Sequence, residues 1–190
     1  MRQCRSAKVV TLPNALSASR IVAAPLLAFA VLTGQPPGLA AGLVVAAALT
    51  DLFDGVAARA LGKVSDLGAS LDPVADKTFI LTALWLLWGE GVIRGANAWA
   101  ALIILWREIV ISGLRDHARA HGTAAPVSRL AKAKTAAQFS AVILLFASRV
   151  PFRGADACFQ AGAGLIWAAA GLALYTGAEY FWRAWRQSWK

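Results

Sequence analysis

The sequence predicts an all-α integral membrane protein of six transmembrane helices, with a short amphipathic juxtamembrane segment at its N-terminus. Three observations carry this. Of the 190 residues, 58% are hydrophobic and only 15% charged, with a mean hydropathy of +0.58. A soluble domain carries about 25% charged and about 45–50% apolar residues. The apolar residues fall into six stretches, near 16–33, 38–61, 73–90, 95–118, 131–149 and 158–182. Each approaches the roughly 20 residues a helix needs to cross the hydrocarbon core. The basic residues, finally, divide unevenly between the two sides that six spans create.

The elements follow in order. Arg2, Arg5 and Lys8 precede the first apolar run in the manner of a secretory signal. Further apolar segments come at once, so the run is read as a retained first span. Part of residues 1–20 is suited to lie in the membrane surface. Gly34-Gln35-Pro36-Pro37-Gly38 is a turn cluster, and Glu90-Gly91 and Pro151-Phe152-Arg153-Gly154 break the later runs. A backbone in lipid must satisfy its own hydrogen bonds, so each stretch is a helix. An even number of spans puts both termini on one side. That side holds all but four of the 19 lysines and arginines; Arg94, Arg149 and Arg153 lie opposite, and Arg107 lies within a span. Both ends are therefore expected in the cytoplasm.

The net charge of +9 and pI near 10.4 also raise nucleic-acid binding. No basic stretch is interleaved with a soluble, foldable segment, so no nucleic-acid partner is expected. The eight tryptophans, including Trp182, Trp185 and Trp189 near the C-terminal end, suit membrane interfaces. Cys4 and Cys158 lie far apart without CxxC spacing, which gives neither a disulfide framework nor a zinc site. The length suggests one domain, residues 1–190.

The chemistry concentrates in residues 51–76. Five of the ten acidic residues fall there, and four form helically spaced pairs. Asp51 and Asp54 are i and i+3, Asp72 and Asp76 i and i+4, so each pair shares a helix face. The pairs belong to consecutive helices, so both can face one pocket; Asp66 reads as a solvated charge in the connection between them. Four carboxylates near lipid are costly unless their charge is cancelled, and repulsion would force protons onto some of them. Two divalent cations remove both difficulties. Oxygen ligands without nearby cysteine suit Mg²⁺ or Mn²⁺, and such a pair can clamp phosphoryl oxygens in an in-line displacement. Gly55 and Gly68 permit close approach of a ligand or backbone, and Arg59 can hold a phosphate bidentately. The bland alternative is helix capping or surface ion pairing, with Asp72 before Pro73 as an N-cap.

The pattern Asp-x2-Asp-Gly-x2-Ala-Arg-x8-Gly-x3-Asp-x3-Asp, met by Asp51, Asp54, Gly55, Ala58, Arg59, Gly68, Asp72 and Asp76, resembles the signature of the CDP-alcohol phosphotransferases. The resemblance implies six transmembrane helices, a homodimer and a cytoplasm-facing polar cavity with two metals. It also implies that Asp51, Asp54, Asp72 and Asp76 ligate them, with Asp76 the general base. Gly55, Ala58, Arg59 and Gly68 would hold the CDP moiety of CDP-diacylglycerol.

Other segments bear on the acceptor. Leu12-Pro13-Asn14-Ala15-Leu16-Ser17-Ala18-Ser19-Arg20 is similar to the entry of phosphatidylglycerophosphate and cardiolipin synthases, with Asn14 a nucleotide contact or a helix cap. Arg107-Glu108 with Ser112-Gly113-Leu114-Arg115, and Leu130-Ala131-Lys132-Ala133-Lys134-Thr135 with Gln138, resemble segments of bacterial phosphatidylglycerophosphate synthases. The resemblance implies glycerol 3-phosphate as acceptor and the bacterial cytoplasmic membrane as location. Glu108 and Arg115 share a helix face, and an intramembrane Arg–Glu pair is costly unless it lines a polar cavity. Arg107, Arg115, Lys132 and Lys134 are the expected phosphate-binding set, against the alternative of anchoring at anionic lipid. His117 and His121 are i and i+4 but lack a following Glu, and read as a solvated pair. The rival readings are a cardiolipin or inositol-phosphate-type synthase and, in another class, a small cation transporter; no inverted repeat supports the latter.

Overall fold

Glycine and proline set the helix boundaries. A computed structural model describes residues 12–61, 66–120 and 129–188, with side chains for 19–50, 74–115 except Asp76, Ala118, and 130–182 except Ala131. Among these residues lie six α-helices and no strand: α1 (Leu12–Leu32), α2 (Pro37–Leu61), α3 (Asp66–Gly89), α4 (Ala96–Ala120), α5 (Arg129–Ala147) and α6 (Ala155–Ser188). Each of the six apolar stretches corresponds to one helix. The surface segment expected within residues 1–20 is, over residues 12–20, continuous with α1; residues 1–11 lie outside the described residues.

Gly34 ends α1 at a φ of 68°, which only glycine adopts without strain. Its N–H reaches the Val31 carbonyl at 3.1 Å, and Gln35 N–H the Ala30 carbonyl at 2.9 Å. This double closure satisfies the last carbonyls of the helix. Gly91 repeats it after α3, with Gly91 to Trp88 and Val92 to Leu87 both at 3.0 Å. Pro37 opens α2 at the first helical position, where its missing N–H has no intrahelical partner to lose.

The chain divides into two compact units, Met1–Ala83 and Leu84–Lys190. In the first, α1 packs on α2. Ala24, Leu27, Ala30 and Val31 are buried on α1, and Ala40, Val44 and Ala47 on α2. Small residues at this spacing let two helices approach closely, which is how helices associate where lipid removes the hydrophobic drive between them. The opposite faces are equally apolar: Val22, Leu26, Phe29 and Leu32 on α1 and Leu39, Val45 and Leu49 on α2 are exposed.

In the second unit, α6 packs against both α4 and α5. Gly162, Ile166, Ala169, Ala170 and Ala173 bury one side of α6. At Gly162 the approach is close enough that a Cβ would lie 2.9 Å from Leu145 Cγ and 3.2 Å from the Leu145 backbone nitrogen. Two side-chain links tie the ends: Trp167 Nε1 donates to Asn97 Oδ1 at 3.0 Å, and Arg149 pairs with Glu90.

Among the described residues, two helical stretches are long and apolar enough to cross a bilayer, Ala96–Arg115 with mean hydropathy 1.4 and Ala155–Trp182 with 1.6. Only 28% of each is buried inside the chain. The core helix of a soluble protein would be mostly covered by its own fold, so these apolar faces look outward to a solvent that accepts them. Trp85, Trp88, Trp99, Trp106, Trp167 and Trp182 are all exposed. At 1.5 Å per residue, α6 with its 34 residues is roughly 50 Å long and exceeds a hydrocarbon core of about 30 Å.

Candidate active site

Asp51, Asp54, Gly55, Ala58 and Arg59 all lie within α2, and Gly68, Asp72 and Asp76 within α3. Both helices run unbroken through their aspartates, so Asp51 and Asp54 share a face of α2, and Asp72 and Asp76 a face of α3. The side chains of these eight residues lie outside the described ones. The backbone removes one bland alternative: Asp72 is in the seventh position of α3 and is no N-cap. It also moves Asp66, expected in the connection, to the first residue of α3. A carboxylate is favoured there by the partial positive charge of a helix N-terminus. Asn14 is the third residue of α1, past the capping position, with its side chain outside the described ones. A carboxylate set on paired helix registers fits hard divalent cations such as Mg²⁺ or Mn²⁺.

Side chains are described for a second polar cluster, built by α4, α5 and α6. Glu108 Oε1 accepts from three donors: Lys134 Nζ, Gln138 Nε2 at 3.3 Å and Arg107 Nη1 at 3.4 Å. Lys134 and Gln138 are i and i+4 on α5, so one face of that helix supplies both. Arg107 also reaches α6, from Nε to the Ala173 carbonyl at 3.2 Å and from Nη2 to Thr176 Oγ1 at 2.9 Å. Thr176 Oγ1 donates in turn to the Leu172 carbonyl at 2.7 Å. The three charged side chains are only 5–9% exposed. Removing one partner of a buried ion pair costs about 3–5 kcal/mol, so the cluster is held together by its own charges.

The four expected phosphate-binding residues differ in their surroundings. Arg107 and Lys134 meet at one carboxylate. Arg115 is near enough for its charge to act on both of them; its guanidinium lies 5.7 Å from the centre of the Tyr180 ring, and its buried Nε has no hydrogen-bond partner among the described residues. Lys132 is exposed. His117 is in α4 and His121 lies outside the described residues.

Thr176 and Gly177 were not legible as site residues. A Cβ on Gly177 would lie 3.3 Å from Arg107 Cγ, so the bare helix surface there makes room for the arginine. The only signal in the sequence is a hydroxyl followed by a glycine inside the apolar run of α6. Gln138 stood in a recognised segment, but its partner Glu108 is 30 residues away.

The model of the CDP-alcohol phosphatidyltransferase family matches residues 10–175. The chain is 34% identical to a protein of Cereibacter sphaeroides named CDP-diacylglycerol–glycerol-3-phosphate 3-phosphatidyltransferase, over 92% of this chain and 95% of that one. A Rickettsia felis protein of the same name is 37% identical over 90% and 93%. A rice (Oryza sativa subsp. japonica) protein named cardiolipin synthase (CMP-forming) is 36% identical over 94% of this chain and 59% of its own. The match runs through both compact units and takes in the two aspartate pairs and Arg107, Glu108, Lys134 and Gln138 alike, which sets the transporter reading aside: the chain belongs to the CDP-alcohol phosphatidyltransferase family.

Proposed function

We propose that the chain spans the bacterial cytoplasmic membrane on six helices with both termini in the cytoplasm, works as a homodimer, and transfers the phosphatidyl group of CDP-diacylglycerol to sn-glycerol 3-phosphate. The products are phosphatidylglycerol phosphate and CMP. Similarity over nine tenths of the chain to proteins named for this reaction supports it. The observation that carries the acceptor is the buried meeting of Arg107 and Lys134 at a single carboxylate. Two cations against one anion suit a phosphate-bearing alcohol, and a neutral alcohol has no use for them.

The donor's acyl chains stay in the bilayer while Arg59, with Gly55, Ala58, Gly68 and Asn14, holds the cytidine diphosphate end. Asp51, Asp54, Asp72 and Asp76 would hold two divalent cations, which when bound supply charge neutralisation along the diphosphate. Asp76 takes the proton of the primary hydroxyl of glycerol 3-phosphate. That oxygen bonds in line to the phosphorus carrying diacylglycerol as the bond to CMP breaks. Positioning and charge neutralisation supply most of the rate in phosphoryl transfer. Lys134, Arg115 and Lys132 meet the acceptor phosphate, with Arg107 beside them.

The similarity to a protein named cardiolipin synthase favours a second reading, with phosphatidylglycerol as acceptor. CMP release by the detergent-purified protein, supplied with CDP-diacylglycerol and Mg²⁺ or Mn²⁺, separates the two. Release that depends on glycerol 3-phosphate and stops with EDTA is expected. Release with phosphatidylglycerol or inositol phosphate alone would overturn the assignment of the acceptor.

A further inference from the structure

We propose that Glu108 is the positioning residue of the acceptor-phosphate site: α6 fixes it through Arg107, and it in turn fixes Lys134. The inference rests on the acceptor reading above and assigns parts within it.

Arg107 is a strut. Each of its three guanidinium nitrogens is committed, Nε to Ala173, Nη2 to Thr176 and Nη1 to Glu108. Its stem lies on Gly177, where a methyl group would already crowd Cγ at 3.3 Å. An arginine tied at every nitrogen and packed on a bare turn of a neighbouring helix holds its position when a ligand arrives. Its charge faces the carboxylate and orients Glu108.

Lys134 is the opposite case. A lysine stem is flexible, and its ammonium has three donors. Of these, one is engaged by Glu108. Gln138, one turn along α5, donates to the same Oε1 and closes it from the other side. The carboxylate thus orders the lysine, and among the described residues two of its N–H groups are left for a ligand. Charge points the same way. Two cations and one carboxylate, all but excluded from solvent, leave one positive charge uncompensated, which is costly in a low-dielectric setting unless an anion completes it. An acceptor phosphate does so.

The test is steady-state kinetics in mixed micelles with each substrate varied in turn. Glu108→Gln keeps the shape and one acceptor oxygen but removes the charge. It is expected to raise the KM for glycerol 3-phosphate by about tenfold or more, the worth of a charged hydrogen bond. The KM for CDP-diacylglycerol stays within about twofold. Glu108→Asp retains the charge one methylene short, and saturating glycerol 3-phosphate restores most of its kcat. It supplies the same readout if the glutamine variant does not accumulate. A fall in thermal stability with both KM values unchanged in the two variants would overturn the inference and leave Glu108 a structural tie. Lys134→Gln separates the failures. If it raises the acceptor KM and the Glu108 variants do not, only the positioning role is wrong. If neither position moves that KM, the acceptor site itself is misassigned.

Discussion

Arg107 on α4 and Thr176 on α6 are joined by a 2.9 Å hydrogen bond between their side chains. Nothing in either local sequence pairs them: they are 69 residues apart. The bond fixes the rotation of α4 about its axis, and with it the direction of the neighbouring Glu108.

Thr176→Val removes the hydroxyl while keeping the branched shape. The expected loss of stability is about 1 kcal/mol, between the average and the maximum for interhelical hydrogen bonds in a membrane protein. Thr176→Ser should keep most of it. Thermal unfolding of the purified protein in detergent reads the difference, and equal midpoints for the valine variant and the parent would show that the bond is not holding the helices.

Gly162→Ala introduces a Cβ 2.9 Å from Leu145 Cγ and 3.2 Å from the Leu145 backbone nitrogen. The side chain can yield but the backbone cannot, so α5 and α6 must separate slightly. Overpacking of this kind costs about 1–3 kcal/mol, more than the roughly 1 kcal/mol of helix propensity that alanine gains over glycine. The double variant with Leu145→Ala is expected to stay less stable than Leu145→Ala alone, because the backbone contact remains. Recovery to the level of that single variant would place the whole conflict in the leucine side chain.

Two ion pairs in the same unit should differ sharply. Glu90 and Arg149 are 36% and 16% exposed in their side chains, whereas Glu108 and Lys134 are 8% and 5% exposed. Glu90→Gln should cost at most about 1 kcal/mol, since solvent screens the pair. Lys134→Met leaves a carboxylate buried with only Arg107 and Gln138, and should cost about 3 kcal/mol or more. Similar unfolding midpoints for the two variants would mean that the Glu108 cluster is solvated in the working protein.

Asp76→Asn should lower turnover by at least about 10²-fold, the lower range for loss of a general base, while CDP-diacylglycerol binding survives in part. Loss of binding and turnover together would make Asp76 chiefly a metal ligand. Excess EDTA is expected to abolish activity in the parent protein, and added Mg²⁺ or Mn²⁺ to restore it.

The helices were legible because each is a long apolar run, bounded in several places by glycine or proline. Gly34 and Gly91 mark helix ends by a backbone conformation that other residues avoid, and both end helices as expected. Asp66 and Asp72 were harder. A run that begins with polar residues reads as a loop until the helix through it is seen, and α3 turns out to start at Asp66 and carry Asp72 in its interior. The aspartate pairs could be recognised because their spacing is local. The Glu108 cluster could be recognised only in part. Arg107 and Lys134 were expected at the acceptor phosphate and Gln138 stood in a segment resembling the family, but which cation faces which carboxylate is decided by α6, through Thr176 and the glycine after it.

The most direct test is incorporation of labelled sn-glycerol 3-phosphate into lipid by the purified protein, with CDP-diacylglycerol and Mg²⁺ or Mn²⁺ present and CMP counted alongside. One labelled phosphatidylglycerol phosphate should form for each CMP released. CMP release without label in the lipid, or label only when phosphatidylglycerol is supplied, would contradict the assignment.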